Sequence, residues 1–400
     1  MTVPFFRPTI TDAEIEAVVT CLRSGWLTTG GVTRAFEQEF AAYVGAKHAI
    51  ALNSCTAALH LALEAVGLRR GELVIVPTMT FAATAEVVRY FDAIPVFVDC
   101  DPATTCIDIA AARRTLAALK AGQPVAGLSP PYGTVRAIIP MHYGGQMADV
   151  DGVRALATEY NLAVIEDAAH TLPAFTRKDS TAPWRAVGTT ADITCFSFYA
   201  NKCITTGEGG MAVTDDEALA DRMRLMSLHG MSKDAWKRYT AAGSWYYEIV
   251  APGFKYNLTD IASALGRVQL GRAEELWKER RRVATALQNA LGGIAGIELP
   301  REMPDRQHSW HLFSIRLDLD IWKIGRDAFI DGLKARGIAT SVHWMPLHMQ
   351  PYYRETYGIA ANEFPVAAGL WPRLVTLPLF PGMTDEDVGA IADAIRSLAR

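Results

Sequence analysis

Short, continuous apolar runs alternate with helical segments along the first half of the chain, and this alternation limits the possible folds. The runs are rich in β-branched residues, which favour strands. Strands that are apolar on both faces are typical of a parallel sheet covered by helices on both sides. The pattern therefore predicts an α/β fold with a mainly parallel sheet, whose strands are expected at 48–52, 73–76, 95–98, 137–141, 163–165, 193–198 and 211–213.

Two helices are expected before the first strand. Residues 11–24 carry apolar residues at helical spacing between a candidate N-cap, Thr11, and a stop signal, Gly25. A second helix is expected at about 33–44. Residues 120–135 are rich in Pro and Gly, which predicts a surface loop that either shapes an entrance or simply crosses the surface.

The second part of the chain has a different organisation. A long, charged segment predicts a linking helix over 259–291, and a smaller α/β unit is expected at 292–400. We therefore expect a large domain at 1–258, the linking helix and a small C-terminal domain. With 400 residues, half of them apolar, the chain is long enough to bury both cores. The elements expected in the small domain are a strand at 310–317 and helices near 325–336 and 384–399.

Charge and cysteine usage argue against several classes of function. The net charge is −4 and charges of both signs are interspersed, so no nucleic-acid partner is expected. The six cysteines show no metal-finger spacing and several lie in apolar runs, which indicates a reduced compartment. No long apolar segment or leader pattern is present, so we expect a cytoplasmic protein without a membrane partner.

Common catalytic motifs are also absent from the sequence. There is no zinc motif, Walker loop, serine-hydrolase elbow or dinucleotide fingerprint, so no metal site is expected. His311, His343 and His348 are scattered, and we interpret them as surface groups or satisfied core groups.

Several residues whose side chains could bind or react with a ligand follow the predicted strands. Open α/β sheets bind their ligands at this edge. Lys202 follows one apolar run and precedes the glycine-rich stretch 206–210. A partly desolvated lysine at this position can hold a carbonyl cofactor covalently, although a single lysine at a strand end is more often simply exposed. Asp167 ends another apolar run. It could keep a cofactor's ring nitrogen protonated, or it could be a helix cap.

A third group of residues could bind a phosphate and a flat ring. Residues 54–57 (SCTA) open a predicted helix, whose free N–H groups favour an anion, although plain capping is the alternative. Ser197 could add a hydroxyl group. Phe81 follows the second strand and could stack on a heterocycle, or it could belong to the core. Together with Lys202 and Asp167, these residues are the parts that a pyridoxal-phosphate (PLP) site requires.

Six segments stand out in order along the chain. They are NSCTAALHLAL (53–63), PTMTFAATAE (77–86), PMHYGG (140–145), VIEDAAH (164–170), FSFYANKCITTGEGG (196–210) and GFKYNLTDIASALGRVQL (253–270). Together they resemble the sugar aminotransferases of the DegT/StrS family, and most closely the enzymes that aminate a UDP-linked 4-keto-pentose. The resemblance implies an aspartate-aminotransferase-type fold, PLP as cofactor, and a homodimer with two composite active sites. It also implies glutamate as amino donor, leaving 2-oxoglutarate, and a nucleotide-linked keto-sugar, with a C4 ketone, as acceptor.

The resemblance implies catalytic roles for residues around the cofactor ring. Lys202 matches the lysine that carries PLP, and Asp167 matches the partner of the pyridine nitrogen. His170 matches the residue near the cofactor's phenolic oxygen, and Phe81 matches the stacking aromatic residue.

The resemblance also implies a set of residues that bind the cofactor phosphate. Thr56, Ala57 and Ser197 match phosphate binders of the same chain. Asn257 matches the asparagine that the other subunit contributes to that phosphate. Cys55 is a departure, because it stands where the family usually has Gly or Ala, and this bears on how the phosphate loop is arranged.

Three alternatives remain at this point. The first is an aminocyclitol aminotransferase, which would act on a keto-inositol. The second is a PLP-dependent sugar dehydratase, but those relatives replace the lysine with histidine, so Lys202 argues against it. The third is a non-catalytic regulator that has kept the fold, against which the complete set of Lys202, Asp167, Phe81 and Ser197 argues.

Overall fold

A seven-stranded sheet dominates the computed structural model, which describes residues 2–231 and 247–398. The strands are β1 (His48–Leu52), β2 (Leu73–Pro77), β3 (Ile94–Val98), β4 (Val135–Ile138), β5 (Ala163–Asp167), β6 (Phe175–Thr176), β7 (Arg185–Ala186), β8 (Ile193–Ser197), β9 (Gly210–Thr214), β10 (Ile297–Glu298), β11 (Arg306–Gln307), β12 (Phe313–Leu317) and β13 (Leu374–Leu377). The helices are α1 (Asp12–Ser24), α2 (Gly31–Val44), α3 (Cys55–Ala65), α4 (Ala82–Arg89), α5 (Ile109–Lys120), α6 (Val150–Tyr160), α7 (Glu217–Ser227), α8 (Asp260–Gly271), α9 (Ala273–Leu291), α10 (Arg326–Ala335), α11 (Pro351–Tyr357), α12 (Pro365–Leu370) and α13 (Asp385–Leu398).

The large sheet has the strand order β1-β9-β8-β5-β4-β2-β3. Strand β9 runs antiparallel to both of its neighbours, and the other six strands are parallel to one another. Apolar clusters lie on both faces of the sheet, with Ile75 and Val76 of β2 facing different clusters. The prediction of a mainly parallel sheet covered by helices is therefore confirmed, and its continuous apolar strands are explained by burial on both faces.

Two predicted strands differ from the observed ones by more than one residue at one end or both. The strand expected at 137–141 is β4 (Val135–Ile138), because the ladder ends at Ile138 and the chain then turns towards residues 143–145. The strand expected at 163–165 continues to Asp167, which pairs with Cys195 of β8. This extension places the Asp167 carboxylate at the carboxyl edge of the sheet.

The predicted linking helix is two helices. Helix α8 ends at Gly271 and α9 begins at Ala273, with Arg272 between them in a non-helical conformation. The Arg272 side chain bonds to Glu14 of α1 and to Glu275 of α9, so the break anchors this junction to the N-terminal helix. The prediction of one continuous helix was wrong, because charge pattern alone does not reveal a single-residue interruption.

The C-terminal part contains a three-stranded antiparallel sheet in the order β10-β12-β13. Helices α9, α10 and α13 bury apolar residues in one cluster with this sheet, including Phe313 and Phe329. Val3 packs in the same cluster and forms a bridge with Ile338, so the N-terminal segment reaches the C-terminal unit. Helix α13 ends at Leu398, and residue 399 of the predicted helix lies outside the described residues. The domain boundaries at 258 and 291 stay a prediction.

The predicted loop at 120–135 connects α5 to β4. Residues 121–134 run through turns and a short bridge between Val125 and Leu128. Gly127 (φ +73°) lies against Tyr357 and Ile359, so a side chain there would collide with the end of α11 and the segment that follows it. Within residues 2–231 and 247–398, no helix is both long and apolar enough to span a membrane.

Candidate active site

A cavity of about 350 Å³ opens at the carboxyl ends of five parallel strands, β1, β2, β4, β5 and β8. This is the edge at which the sequence places its polar residues, and it is the usual ligand site of an open α/β sheet. The predicted site residues that line the cavity are Thr56, Phe81, Asp167, His170, Ser197 and Lys202. Ala57 and Asn257 are not among its lining residues.

Asp167 supplies a buried negative charge at the floor of the cavity. Its side chain is buried, and it accepts hydrogen bonds from Thr84 Oγ1 at 2.7 Å and from the backbone N–H of Ala169 at 3.1 Å. Burial raises the pKa of Asp167, although both hydrogen bonds act in the opposite direction. A carboxylate in this environment gains stability from a nearby cation. Asp167 is therefore suited to a protonated ring nitrogen.

Lys202 lies in the turn that follows β8, where its N–H donates to the carbonyl of Tyr199 at 2.9 Å. Burial lowers the pKa of the Lys202 amine, while the negative charge of Asp167 opposes that effect. A lowered pKa increases the neutral fraction of the amine, and only the neutral amine can attack a carbonyl carbon. The geometry thus favours Lys202 as the covalent anchor.

A buried arginine from α9 supports this turn. Arg280 donates to the carbonyl of Lys202 at 3.4 Å and to the carbonyl of Leu379 at 3.2 Å. It is 5% exposed, and within the described part of the chain no carboxylate lies within ion-pair distance of it. Arg280 is not among the residues predicted from the sequence. It connects the lysine turn to the C-terminal unit.

The start of α3 forms a cradle suited to a phosphate group. Ser54 is the N-cap and accepts a hydrogen bond from the N–H of Ala57 at 3.0 Å, so this N–H is already engaged by the helix cap. Thr56 lies in the first turn and lines the cavity together with Ser197. Free N–H groups of a first helical turn and the helix dipole both attract an anion.

The stretch beside this cradle is rich in glycine, and close packing at Gly210 is one reason. A Cβ atom at Gly210 would lie 2.4 Å from the carbonyl carbon of Ser54 and 2.6 Å from the N of Cys55. Only glycine therefore lets β9 pass this close behind the start of α3. Cys55, the departure from the family pattern, is buried beneath the turn with its Sγ 3.6 Å from the carbonyl oxygen of Cys195.

Aromatic residues form the upper part of the cavity. Phe81 is 56% exposed, immediately precedes α4, and its ring lies 6.2 Å from that of Trp344. His170 accepts a hydrogen bond from the N–H of Gly144 at 3.2 Å, and its ring centroid lies 5.1 Å from Trp344. An exposed ring at the rim of a cavity is available for stacking on a planar ligand.

Two histidines that sequence reasoning set aside also line the cavity. His311 and His343 come from the C-terminal part, and the rings of His311 and His170 lie 4.4 Å apart. Burial lowers the pKa of all three histidines, and that of His343 falls to about 4, so they are neutral near pH 7. The interpretation as a satisfied core group was wrong for His311, whereas His343 has a partner, with Nδ1 2.9 Å from Thr376 Oγ1. Both residues line the cavity because the fold brings the C-terminal part over the sheet edge.

His348 is a satisfied core group, as expected from the sequence. It is buried, with Nδ1 2.6 Å from Thr78 Oγ1 and Nε2 3.0 Å from the carbonyl oxygen of Ala361. In contrast, Nδ1 of His311 has no hydrogen-bond partner among the described residues. Neither the spacing of these histidines nor their neighbours in sequence separates the two cases.

Asn257 does not line the cavity of its own chain. Its backbone forms a bridge with Leu52, and its side-chain amide donates to Thr29 Oγ1 at 2.6 Å. Lys255 Nζ donates to its side-chain oxygen. The structure thus does not bring Asn257 together with the other predicted site residues within one chain.

The residues that meet in the cavity fit PLP. The lysine amine suits the aldehyde carbon, the buried Asp167 suits the ring nitrogen, and the start of α3 with Ser197 suits the phosphate. Phe81 provides a stacking surface at the rim.

Comparisons with known proteins agree with this chemistry. The profile of the DegT/DnrJ/EryC1/StrS aminotransferase family matches residues 8–396. The chain is 42% identical over 401 residues to the spore coat polysaccharide biosynthesis protein SpsC of Bacillus subtilis, covering 99% of this chain and 97% of that protein.

Two solved structures share the whole fold. The putative sugar aminotransferase Spr1654 from Streptococcus pneumoniae, in its PLP form, is 29% identical with a TM-score of 0.86, covering 100% of this chain and 99% of that one. DesI, solved in the presence of its TDP-sugar product, is 28% identical with a TM-score of 0.83, covering 100% and 93% of the two chains. PLP is therefore the cofactor, and the protein is a PLP-dependent enzyme that belongs to the DegT/DnrJ/EryC1/StrS aminotransferase family.

Proposed function

We propose that this enzyme transfers an amino group from glutamate to the C4 ketone of a sugar linked to a nucleotide. The main observation in support of the proposal is that Lys202 and the buried Asp167 line the same cavity. Support for a nucleotide sugar comes from DesI, which was solved with a TDP-sugar product. The C4 position and the glutamate donor rest on the resemblance of the motif segments, including GFKYNLTD at 253–260.

When bound, PLP supplies an electron sink for the bonds at the amino-bearing carbon. The residues of this chain hold and move protons around it. Lys202, once its amine is free, takes and returns a proton at the substrate carbon as general base and acid. Asp167 keeps the proton on the ring nitrogen, because its buried carboxylate favours a cation as its partner.

The neutral histidines shape the space in which the substrates react. The buried His170 and His311 and the half-buried His343 form one wall of the cavity, and their low pKa values keep that wall uncharged. An uncharged wall can hydrogen-bond hydroxyl and carbonyl oxygens of a sugar without trapping a proton from the reaction.

The reaction has two halves that share this site. Glutamate gives its amino group and leaves as 2-oxoglutarate, and the keto-sugar then takes the amine, which is ping-pong chemistry. A homodimer would complete each site with Asn257 from the other subunit. Support comes from the position of Asn257, which is outside the cavity of its own chain.

The direct test uses the purified enzyme with glutamate and a panel of acceptors. The panel contains UDP- and TDP-linked 4-keto- and 3-keto-sugars and a keto-inositol, and NMR identifies the aminated carbon of any product. We expect amination at C4 of a nucleotide-linked sugar, and none with Lys202→Ala. Amination of the keto-inositol alone, or of C3 alone, would contradict the proposal.

A further inference from the structure

A small pocket adjoins the catalytic cavity at the turn that carries Lys202. Asn201 and Lys202 line both spaces. The remaining wall is formed mainly by residues 6–9 of the N-terminal segment, by helices α8 and α9, and by residues 380–381. The volume is about 10 Å³, which is the space that roughly one water-sized sphere occupies. The small pocket therefore has room for one water molecule or one monatomic ion.

Positive charge lines the small pocket. Its basic residues are Arg7, Lys202 and Arg280, and no Asp or Glu of the described residues lines it. Lys202 has a counter-charge, because the carboxylate of Asp167 acts on it. Burial lowers the pKa of Arg280, and the group that opposes this effect is the thiol of Cys203 rather than a carboxylate. A buried cation is unfavourable unless a negative charge is paired with it.

Arg280 also has a hydrogen-bond donor without an acceptor. The side chain is 5% exposed, and its terminal nitrogens donate to two backbone carbonyls at 3.2 and 3.4 Å. Its buried Nε has no hydrogen-bond partner in the part of the chain that the structure describes. Glu14 is bonded to the pocket residue Gln269, but it is already paired with Arg272 at 2.6 Å. An acceptor in the small pocket would satisfy the Nε–H donor.

A second guanidinium lines the small pocket. Arg7 is exposed, and neither a hydrogen bond nor an ion pair engages its side chain within residues 2–231 and 247–398. A water molecule could accept from Arg280 and donate to Asn201, whose buried Oδ1 also lacks a partner among the described residues. Water would leave the charge of Arg280 unpaired, however. An anion accepts charge-assisted hydrogen bonds from both guanidinium groups and supplies the missing negative charge.

We propose that the small pocket binds one monatomic anion, chloride in the cell, between Arg280 Nε and the guanidinium of Arg7. The ion joins the N-terminal segment to α9 and to the Lys202 turn, since all three line the pocket. It therefore stabilises the fold around the catalytic lysine. The site lies outside the proposed reaction, so it does not depend on the identity of the amino donor or acceptor.

Crystals of the PLP-loaded enzyme soaked in bromide test the site directly, because bromide replaces chloride and scatters anomalously. We expect an anomalous peak within hydrogen-bonding distance of Arg280 Nε. The peak should be weak or absent in Arg7→Ala crystals, whereas Arg7→Lys keeps the positive charge and should retain it. A small pocket that holds only water in wild-type crystals soaked in bromide would overturn the proposal.

A chloride titration measures the affinity in solution. Gluconate replaces chloride at constant ionic strength, and fluorescence follows the thermal unfolding of the PLP-loaded enzyme. An ion that binds only the folded protein raises the unfolding midpoint as its concentration increases. Arg7→Ala should weaken the apparent chloride affinity by about tenfold, because it removes a charge-assisted hydrogen bond.

Arg301→Ala is the matched control for this titration. Arg301 is also exposed, but it lines a different cavity, between residues 103–105 and β12, so its variant should respond to chloride like the wild type. A wild-type midpoint that does not respond to chloride would overturn the proposal. Equal chloride responses of the wild type and Arg7→Ala would overturn it as well.

Discussion

Mixing two inactive variants tests whether each active site is shared between subunits. Lys202 lines the cavity of its own chain, whereas Asn257 does not and is held by Thr29 instead. If Asn257 completes the site of the neighbouring subunit, Lys202→Ala and Asn257→Ala damage different sites when they are on different chains of one dimer. Each variant alone is expected to be inactive or severely impaired, because every site of its homodimer carries the lesion.

The expected recovery follows from counting sites in a symmetric dimer. With equal amounts of the two variants and free exchange, roughly half of the dimers are mixed. Each mixed dimer holds one site with both lesions and one site with neither. About a quarter of wild-type activity should therefore return.

The assay measures amino transfer before and after subunit exchange, with different affinity tags on the two variants to prove that mixed dimers form. A mixture of Lys202→Ala with Asp167→Asn is the matched control, because both residues line the same cavity of one chain. That mixture should stay inactive. If mixed dimers form and the Lys202→Ala and Asn257→Ala pair also recovers no activity, the shared-site reasoning is refuted.

Three other substitutions test separate parts of the structure. Asp167→Asn should keep PLP but lose most of its rate in the glutamate half-reaction, because an amide cannot hold the proton on the ring nitrogen. Stopped-flow spectra measure this rate, and a near-normal value would remove Asp167 from this role. Burial acts to raise the pKa of Glu14, but hydrogen bonds from Thr11, Arg272 and Gln269 lower it to about 2, so its stabilisation is complete above pH 4.5 and disappears as the pH falls towards 2. Glu14→Gln should therefore reduce the free energy of unfolding by about 3 kcal/mol at pH 7 and by much less near pH 2 in urea titrations, and an equal loss at both pH values would contradict the assigned pKa. Gly210→Ala should weaken PLP binding, because the new Cβ displaces the start of α3. Gly271→Ala is the control and should not weaken it, because a Cβ there meets nothing within 4 Å. Equal PLP affinities of the two variants in a fluorescence titration would argue against the steric explanation.

The fold class was predictable because the strands are buried on both faces. Runs such as Leu73–Pro77 and Ile193–Ser197 are continuous and apolar for that reason, and periodicity reveals them directly. Strand order was not predictable in the same way. The insertion of the antiparallel β9 between β1 and β8 depends on tertiary packing, which leaves no local pattern in the sequence.

The site was predictable where it follows strand ends. Lys202, Asp167 and Ser197 lie at or just after the carboxyl ends of parallel strands, and the topology brings them together. His311 and His343 were missed because they belong to the C-terminal part, whose position over the sheet edge cannot be deduced from spacing.

Arg280 was missed although a signal was present. It stands among three consecutive arginines, so the run looks like a solvated face of the helix. Arg280 nevertheless falls on the buried stripe of α9 with Leu276, Val283 and Leu287, at the i, i+4, i+7, i+11 spacing of one helix face. A charged residue on an otherwise apolar helix stripe is therefore as informative about buried polar groups as a polar residue at a strand end.

The covalent attachment of PLP to Lys202 is the central claim, and one experiment tests it most directly. The purified, PLP-loaded enzyme is reduced with borohydride, digested, and analysed by mass spectrometry for the phosphopyridoxyl label. The label is expected on Lys202, whose amine lines the catalytic cavity and has a pKa lowered by burial. The Lys202→Ala variant should carry no reducible label. A label on any other lysine of the wild-type enzyme would contradict the assignment of the active site.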